Sequence, residues 1–290
     1  MIDLTAPLTI NVPLAGDTGD GSIANPYSIQ PAWDMLLRDY NLRGYPVTIQ
    51  LQTGTQVNPI FYKALNIGGR ITGQAGMDMR MKVGPGYPDF RLGNSGRITL
   101  RGNPTNPWGA FIYDSTDDNG AITLVEGASL WVDGITMNTK TQDCVDVFYG
   151  SFLCLQNIVF VTAGPTVNAY SNHISCAMGG TVFITGKVTV CGWAASFANV
   201  GSGGYLYWNT NGDYCIPIDF ELIGNPIFPR GFLLVTDGGA AFPFAVNFIG
   251  TAQGPRSRVI RNGVIVTANA NPNYLPGNSP VVIESGGQYL

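Results

Sequence analysis

The sequence predicts an all-β chain folded as a single-stranded parallel β-helix, a solenoid in which each coil of the chain adds one rung of strands. Five segments align with a glycine in the same column, three residues before an apolar strand core. The offsets between the segments are 23, 29, 24 and 35 residues. Because the spacing varies while the strand core does not, the insertions belong in loops between strands. The aligned glycines are Gly127, Gly150, Gly179, Gly203 and Gly238.

Composition agrees with this fold and excludes some functions. The chain has 290 residues with 38 Gly and 19 Pro, and only 12% of its residues are charged. Abundant turn formers and few charges are typical of an all-β protein with many corners. The net charge of −4 argues against nucleic-acid binding, which needs a basic surface. We find no signal peptide and no apolar run that could span a membrane, so we expect folding in a cytoplasm without membrane insertion.

Three regions are predicted along the chain. Residues 1–45 form an N-terminal segment with a short helix that caps the first rung or attaches the protein to a neighbour. The helix is expected at Pro31–Tyr40, with Ala32, Trp33, Leu36 and Leu37 along one side, because proline favours a first helical position. Residues 46–250 form the β-helix, and residues 251–290 form a C-terminal strand with an irregular tail.

Within the β-helix, each strand core is followed by a second strand after a Gly or Asn corner, since both residues tolerate a left-handed backbone. Residues 76–87 are predicted to leave the regular coil as an excursion between rungs. In the C-terminal region, Asn262-Gly263 predicts a hairpin-like turn within a strand at 259–266. The further strands are expected at Leu8–Val12, Val47–Leu51, Gly69–Thr72, Arg97–Leu100, Ile135–Met137, Ile158–Phe160 and Val188–Val190.

Strand alternation predicts an apolar ladder on the outside of the coil. If Leu130 and Val132 point inward, the residue between them and its equivalents point outward. Such a ladder is rare on a soluble monomer, so it indicates either burial against sister subunits, most simply in a trimer, or a platform on which sugar rings stack. The ladder consists of Trp131, Cys154, Phe183, Tyr207 and Phe242.

Carboxylates provide the candidates for catalysis, because glycan cleavage usually needs two of them close together. Asp114, Asp117 and Asp118 cluster in one turn, and Asp143 and Asp146 flank a strand start one repeat later. The alternative is that these residues are simply turn formers. No motif indicates a metal site or a cofactor, and the five cysteines share no CxxC spacing, so we expect free thiols.

Two long loops, 163–173 and 191–203, are candidates for glycan contact, because loops on a rigid scaffold often carry function. Their aromatic and imidazole side chains are expected to be exposed. The glycan-binding candidates are Tyr170, His173, Trp193 and Phe197.

Several motifs carry a resemblance to a known family. They are GDTGDGSIANPYSIQPAWDML, VTIQL, RITLRGNPTNP and RNGVIVTANANPNYLPGNSP. The chain resembles the pectate-lyase-like, right-handed β-helix proteins of tailed bacteriophages and gene transfer agents. It departs from the family in a shortened N-terminal segment and lacks the basic-residue and calcium-aspartate arrangement of true pectate lyases, so the family name describes the fold only.

The resemblance implies a trimeric head or tail spike or fibre that contacts host surface polysaccharide. We therefore expect a virion surface protein that binds host glycan and contacts other virion proteins. The alternatives are a polysaccharide depolymerase at the same location, using Asp114, Asp117 or Asp118 with Asp143 or Asp146, and a purely structural capsid decoration or spike-base protein.

Overall fold

The computed structural model describes residues 1–74, 79–84, 87–92, 96–114, 120–140, 142–162, 171–208, 217–267 and 270–290. Within these residues, three parallel sheets of ten, seven and eight strands dominate, which we number sheets 1, 2 and 3. From residue 47 to residue 265, successive strands of these sheets belong to sheets 1, 2 and 3 in turn, and each strand pairs in parallel with its equivalent in the next circuit. This arrangement is consistent with a parallel β-helix.

The strand bounds follow the rotation. Sheet 1 contains β2 (Leu8–Val12), β4 (Val47–Leu51), β9 (Ile98–Arg101), β12 (Ser129–Asp133), β15 (Phe152–Gln156), β18 (Thr181–Ile184), β21 (Tyr205–Trp208), β24 (Ala240–Phe242), β27 (Val264–Ile265) and β29 (Gln288–Tyr289). Sheet 2 contains β5 (Ile60–Tyr62), β10 (Ala110–Asp114), β13 (Thr136–Thr139), β16 (Ile158–Thr162), β19 (Val188–Trp193), β22 (Ile218–Ile227) and β25 (Val246–Gly250). Sheet 3 contains β6 (Leu65–Gly68), β11 (Ile122–Val125), β14 (Val145–Val147), β17 (Asn172–Cys176), β20 (Ser196–Val200), β23 (Leu233–Val235), β26 (Ser257–Val259) and β28 (Val282–Ile283).

Two short pairs lie outside these sheets. β1 (Ile2–Asp3) pairs with β3 (Tyr40–Asn41), and β7 (Met79–Gly84) forms an antiparallel pair with β8 (Tyr87–Leu92). The second pair confirms that the chain leaves the rungs in the region predicted as an excursion. Residues 69–72, predicted as a strand, follow β6 instead and are not in a strand.

The helix α1 (Gln30–Asp39) lies where it was expected. Ala32, Trp33 and Leu36 are buried in the main core, but Leu37 is exposed, so the predicted apolar side is narrower than expected. A 3-10 turn at Pro107–Gly109 precedes β10. Neither helix is long and apolar enough to cross a membrane, as judged over the described ranges.

The aligned glycines mark one recurring corner between sheets 3 and 1. All five have a positive φ between 70° and 76°, and the residue before each also has a positive φ. Two consecutive left-handed residues turn the chain sharply, and glycine adopts this conformation without steric cost. The glycine that recurs in the sequence alignment therefore corresponds to a backbone corner that recurs in the structure.

The same corner continues beyond the predicted end of the β-helix at residue 250. Asn262 and Gly286 have φ values of 61° and 81° and are again preceded by left-handed residues. The strands on either side of Asn262, β26 and β27, belong to sheets 3 and 1 and do not pair with each other. The expected hairpin at Asn262-Gly263 is therefore wrong, and residues 257–289 add strands to sheets 1 and 3.

The core lies inside the coil. The inward residues of sheet 1, such as Leu130, Leu153 and Val182, are fully buried together with the inward residues of sheets 2 and 3. The described cysteines Cys144, Cys154, Cys176 and Cys191 carry free thiols, as expected, and Cys215 lies outside the described residues.

Candidate functional site

A cleft of about 320 Å³ lies on the outer face of sheet 2. Its floor is formed by outward residues of three neighbouring strands, Val159 on β16, Thr189 on β19 and Glu221 on β22, which are aligned in register. One wall is the segment 104–108, which leads into the 3-10 turn. A cleft with an aromatic side chain and a few convergent polar groups is the usual form of a small-ligand site.

The wall is held in place by hydrogen bonds at its two ends. The Asn103 Oδ1 atom accepts hydrogen bonds from the backbone N–H of Thr105 at 3.1 Å and from its hydroxyl at 2.8 Å. The hydroxyl of Thr136, on β13, donates to the carbonyl oxygen of Pro107 at 2.9 Å. The turn that carries Trp108 is therefore anchored to the sheet.

Trp108 is the aromatic residue of the cleft and is half-buried. Its ring centroid lies 6.1 Å from that of Phe111, which in turn lies 5.3 Å from that of Phe61 on the preceding strand of sheet 2. These tilted aromatic contacts limit the freedom of the indole before any ligand binds. Stacking of a ligand on Trp108 therefore costs little further loss of conformational entropy in the tryptophan side chain.

An ion pair occupies the floor of the cleft. Lys187 Nζ donates to Glu221 Oε1 at 2.7 Å, and the Thr189 hydroxyl donates to Glu221 Oε2 at 3.2 Å. Lys187 and Glu221 have exposed side-chain fractions of 49% and 30%, so both remain accessible. Together with Asn157 in the cleft lining, they offer donors and acceptors to the hydroxyl groups of a sugar.

The predicted carboxylates Asp143 and Asp146 form a second candidate site on the outer side of sheet 3. Both are half-buried, and their side chains are hydrogen-bonded to each other. Asp143 Oδ1 also accepts hydrogen bonds from the backbone N–H of Asn172 and from its side-chain amide, the latter at 3.0 Å. The structure thus brings these two predicted residues together.

Burial raises the pKa of both carboxyl groups, and the neighbouring charge of Asp143 raises the pKa of Asp146 further. Two carboxylates in contact cannot both ionise cheaply, so the raised pKa values favour retention of one proton between the two groups. The backbone N–H of Gly120 donates to Asp146, and a Cβ at Gly120 would lie 2.7 Å from Asp146 Oδ2. Glycine at this position therefore leaves the space that the carboxyl group occupies.

The remaining catalytic candidates are Asp114, Asp117 and Asp118. Asp117 and Asp118 lie outside the described residues, as does the side chain of Asp114 at the end of β10. Among the described residues, no group of three or more His, Cys, Asp or Glu side chains is arranged to hold a metal ion.

Two of the four predicted glycan-binding residues lie in the core and not on the surface. His173 and Phe197 were expected on exposed loops, but they lie in β17 and β20 and are fully buried. Phe197 packs on Phe220 and Phe232 in the core. The predicted loop at 191–203 is in fact largely β19 and β20, joined by two alanines, so no long loop exists there to project from the scaffold.

His173 has no access to a surface ligand. Burial lowers its pKa to about 3, and its Nδ1 atom lies 3.8 Å from Cys144 Sγ. Trp193, at the end of β19, is half-buried and remains a candidate, whereas Tyr170 lies outside the described residues.

The outward ladder of sheet 1 forms a separate cluster from the main core, with Phe152 added to it. A single chain already buries its first members: Trp131 is 5% exposed, Cys154 1% and Phe183 0%. The expectation that these three need a sister subunit for burial is therefore wrong. Tyr207 and Phe242 are half-buried and stacked with centroids 4.7 Å apart, so an interface at this end stays a prediction.

Sequence reasoning missed Trp108, Lys187, Thr189 and Glu221 as a site. A signal was present in Asn-Pro-Thr-Asn-Pro-Trp-Gly at 103–109, where two prolines and an Asn turn display a tryptophan. No local signal identifies Glu221, because its proximity to Lys187 depends on the register of sheet 2.

Comparisons of the chain with protein-family models, with curated proteins and with solved structures find no match. The family resemblance therefore remains a prediction from sequence motifs.

Proposed function

We propose that the protein is a virion surface component, a spike or fibre of a tailed phage or gene transfer agent, that binds host surface polysaccharide in the cleft on sheet 2. The observation that carries the proposal is the placement of Trp108 beside the Lys187–Glu221 pair. The indole presents an apolar face to the C–H face of a sugar ring, and the charged and amide groups bind its hydroxyls. The virion location rests on the sequence resemblance.

The proposed architecture is a right-handed, trimeric β-helix with α1 as the cap of its first rung. The buried position of Trp33 and Leu36 supports the cap, and the half-buried stack of Tyr207 and Phe242 supports a subunit contact at that end of sheet 1. Light scattering tests the trimer, which requires three times the mass of the chain. A monomer in solution would contradict it.

The glycan-binding proposal is tested with purified host capsule and lipopolysaccharide in a quantitative pull-down. We expect Trp108→Ala to weaken binding at least tenfold, since truncating a central aromatic anchor typically costs about 2 kcal/mol or more. Trp193→Ala tests the rival assignment, because this tryptophan is also half-buried on sheet 2 but outside the cleft lining, and the proposal expects it to bind like wild type. Loss of binding in the control alone would move the site to Trp193, and loss in neither variant would refute both assignments.

A depolymerase is the second candidate, favoured by the proton shared between Asp143 and Asp146. A carboxyl group with a raised pKa is the general acid that glycosidic cleavage needs. Asp143 and Asp146 are hydrogen-bonded to each other, so their carboxyl groups lie closer together than the two catalytic carboxyl groups of a glycosidase. In a depolymerase, one of these two residues would therefore act with Asp114, Asp117 or Asp118.

The same incubation with capsule and lipopolysaccharide tests this candidate by the appearance of new reducing ends or unsaturated products. We expect cleavage, if it occurs, to be abolished by Asp146→Asn with binding retained. Retention of the glycan without products would contradict the depolymerase. Neither retention nor cleavage would favour the structural alternative, a capsid decoration or spike-base protein.

A further inference from the structure

We infer that the cleft selects uncharged glycans over anionic ones, and that Glu221 is the residue that sets this preference. The inference rests on the proposed function, since it concerns the ligand of the same cleft. Among the described residues that line the cleft, Lys187 and Glu221 are the charged ones. Their charges cancel, so the cleft offers no net attraction to an anion.

The geometry of the pair makes Lys187 a poor site for a carboxylate. Its Nζ atom lies 2.7 Å from Glu221 Oε1, so a ligand carboxylate that approaches Nζ also approaches the negative charge of Glu221. At such separations the attraction and the repulsion are of similar size. A hydroxyl group accepts a hydrogen bond from Lys187 without this repulsion.

Glu221 is not free to turn away from an anionic ligand. Its two carboxylate oxygens accept hydrogen bonds from two different residues, Lys187 and Thr189. Thr189 is 6% exposed and belongs to the central strand of the floor, β19. The negative charge is therefore held in place at the floor, where it can accept a hydrogen bond from a sugar hydroxyl.

The rest of the cleft matches an uncharged ring. Pro104, Pro107, Trp108 and Ile223 supply apolar surface to the lining, and apolar surface favours the C–H faces of a sugar while penalising desolvation of an ionised group. The net charge of the whole chain, −4, also disfavours the approach of polyanions.

The test compares a uronic-acid-containing host polysaccharide with its carboxyl-reduced product, which keeps the same linkages but carries no charge. We expect wild-type protein to bind the reduced form at least tenfold more tightly. In Glu221→Gln, the amide keeps the shape of the side chain and leaves the charge of Lys187 unbalanced. We therefore expect its affinity for the uronic-acid form to rise about fivefold to tenfold, as for one unit charge near the protein surface. This gain should shrink in high salt.

The control is Glu284→Gln, which removes the same charge from an exposed ion pair with Arg258 on the outer side of sheet 3. It should leave both affinities unchanged. Equal or tighter wild-type binding of the uronic-acid form, with both forms lost in Trp108→Ala, would overturn the inference while the proposed function stands. Failure of wild-type protein to bind either form or the unmodified host polysaccharide would refute the proposed function and the inference together.

Discussion

Sheets 1 and 2 share one core, yet their outer faces differ in character. The outer face of sheet 1 carries an aromatic ladder that the single chain buries as far as Phe183. The outer face of sheet 2 carries Thr136, Thr189 and Glu221 beneath a wall with Trp108, and it remains open as a cleft. In a solenoid the inward residues specify the coil, so the outward residues are free to differ between sheets. Here one outer face is largely buried within the chain, and the other leaves an open cleft.

The largest expected effect is on the stability of the sheet 1 face. Phe183→Ala removes a fully buried ring that stacks on Tyr207 with centroids 4.8 Å apart, so we expect a loss of about 3–5 kcal/mol in the free energy of unfolding. Urea denaturation followed by tryptophan fluorescence measures it. The control Tyr205→Ala truncates a ring that is 40% exposed on the same face and should cost about 1 kcal/mol or less. Similar losses in both variants would contradict a buried ladder.

The outer side of sheet 3 lies between these two faces in character, because its carboxyl groups Asp143 and Asp146 are polar but half-buried. Because the folded pKa of Asp146 is raised, this carboxyl group keeps its proton in the folded protein between about pH 4 and the raised pKa, whereas the unfolded chain has lost it. Stability should therefore fall as the pH rises from about 4 through the raised pKa, by about 1.4 kcal/mol for each pKa unit.

Asp146→Asn should remove this part of the pH dependence, since an amide can donate to Asp143 without losing a proton. We expect the variant to be more stable than wild type at pH 8.5, with the difference closing towards pH 4, in denaturant titrations at both pH values. Asp219→Asn, at an exposed carboxylate on β22, is the control. A difference between wild type and Asp146→Asn that is constant with pH would contradict the shared proton.

The smallest expected effect concerns the anchoring of the cleft wall. Thr136→Val keeps the shape of a fully buried side chain but removes its hydrogen bond to the Pro107 carbonyl. We expect a loss of about 1 kcal/mol in stability and a few-fold weaker glycan binding, because Trp108 sits on the loosened turn. Unchanged binding with reduced stability would show that the wall does not need this anchor.

The rungs were predictable from the sequence because their corner has a strict chemical requirement. The paired left-handed residues at Gly127 and its equivalents leave a glycine column that alignment detects. The two later corners were missed because Asn262 fills that column and Gly286 was assigned to an irregular tail. Asparagine tolerates the left-handed conformation too, so an alignment on glycine ends at Gly238, before both later corners.

The candidate site was less predictable, for reasons that differ between residues. His173 was assigned to a loop ending at residue 173, whereas β17 already begins at Asn172. Phe197 was assigned to a loop because the corner between β19 and β20 consists of two alanines, which carry no turn signal that would separate two strands. Lys187 and Glu221 meet only because β19 and β22 pair in one register, which a single sequence does not reveal. Asp143 and Asp146 were found because they are near neighbours in the sequence.

The recurring corner between sheets 3 and 1 makes the chain a series of interchangeable segments. Asp237 and Arg261 have φ values of 53° and 49°, and the residues after them, Gly238 and Asn262, have 73° and 61°. Excision of residues 238–261 would join Asp237 to Asn262 with both residues in the backbone state they already hold. Leu206 would then meet Ile265 in place of Ala241 across sheet 1. Gain or loss of such a segment changes the length of the coil, while the neighbouring segments keep their own residues and corners. Proteins of different length can therefore arise from this architecture by whole segments.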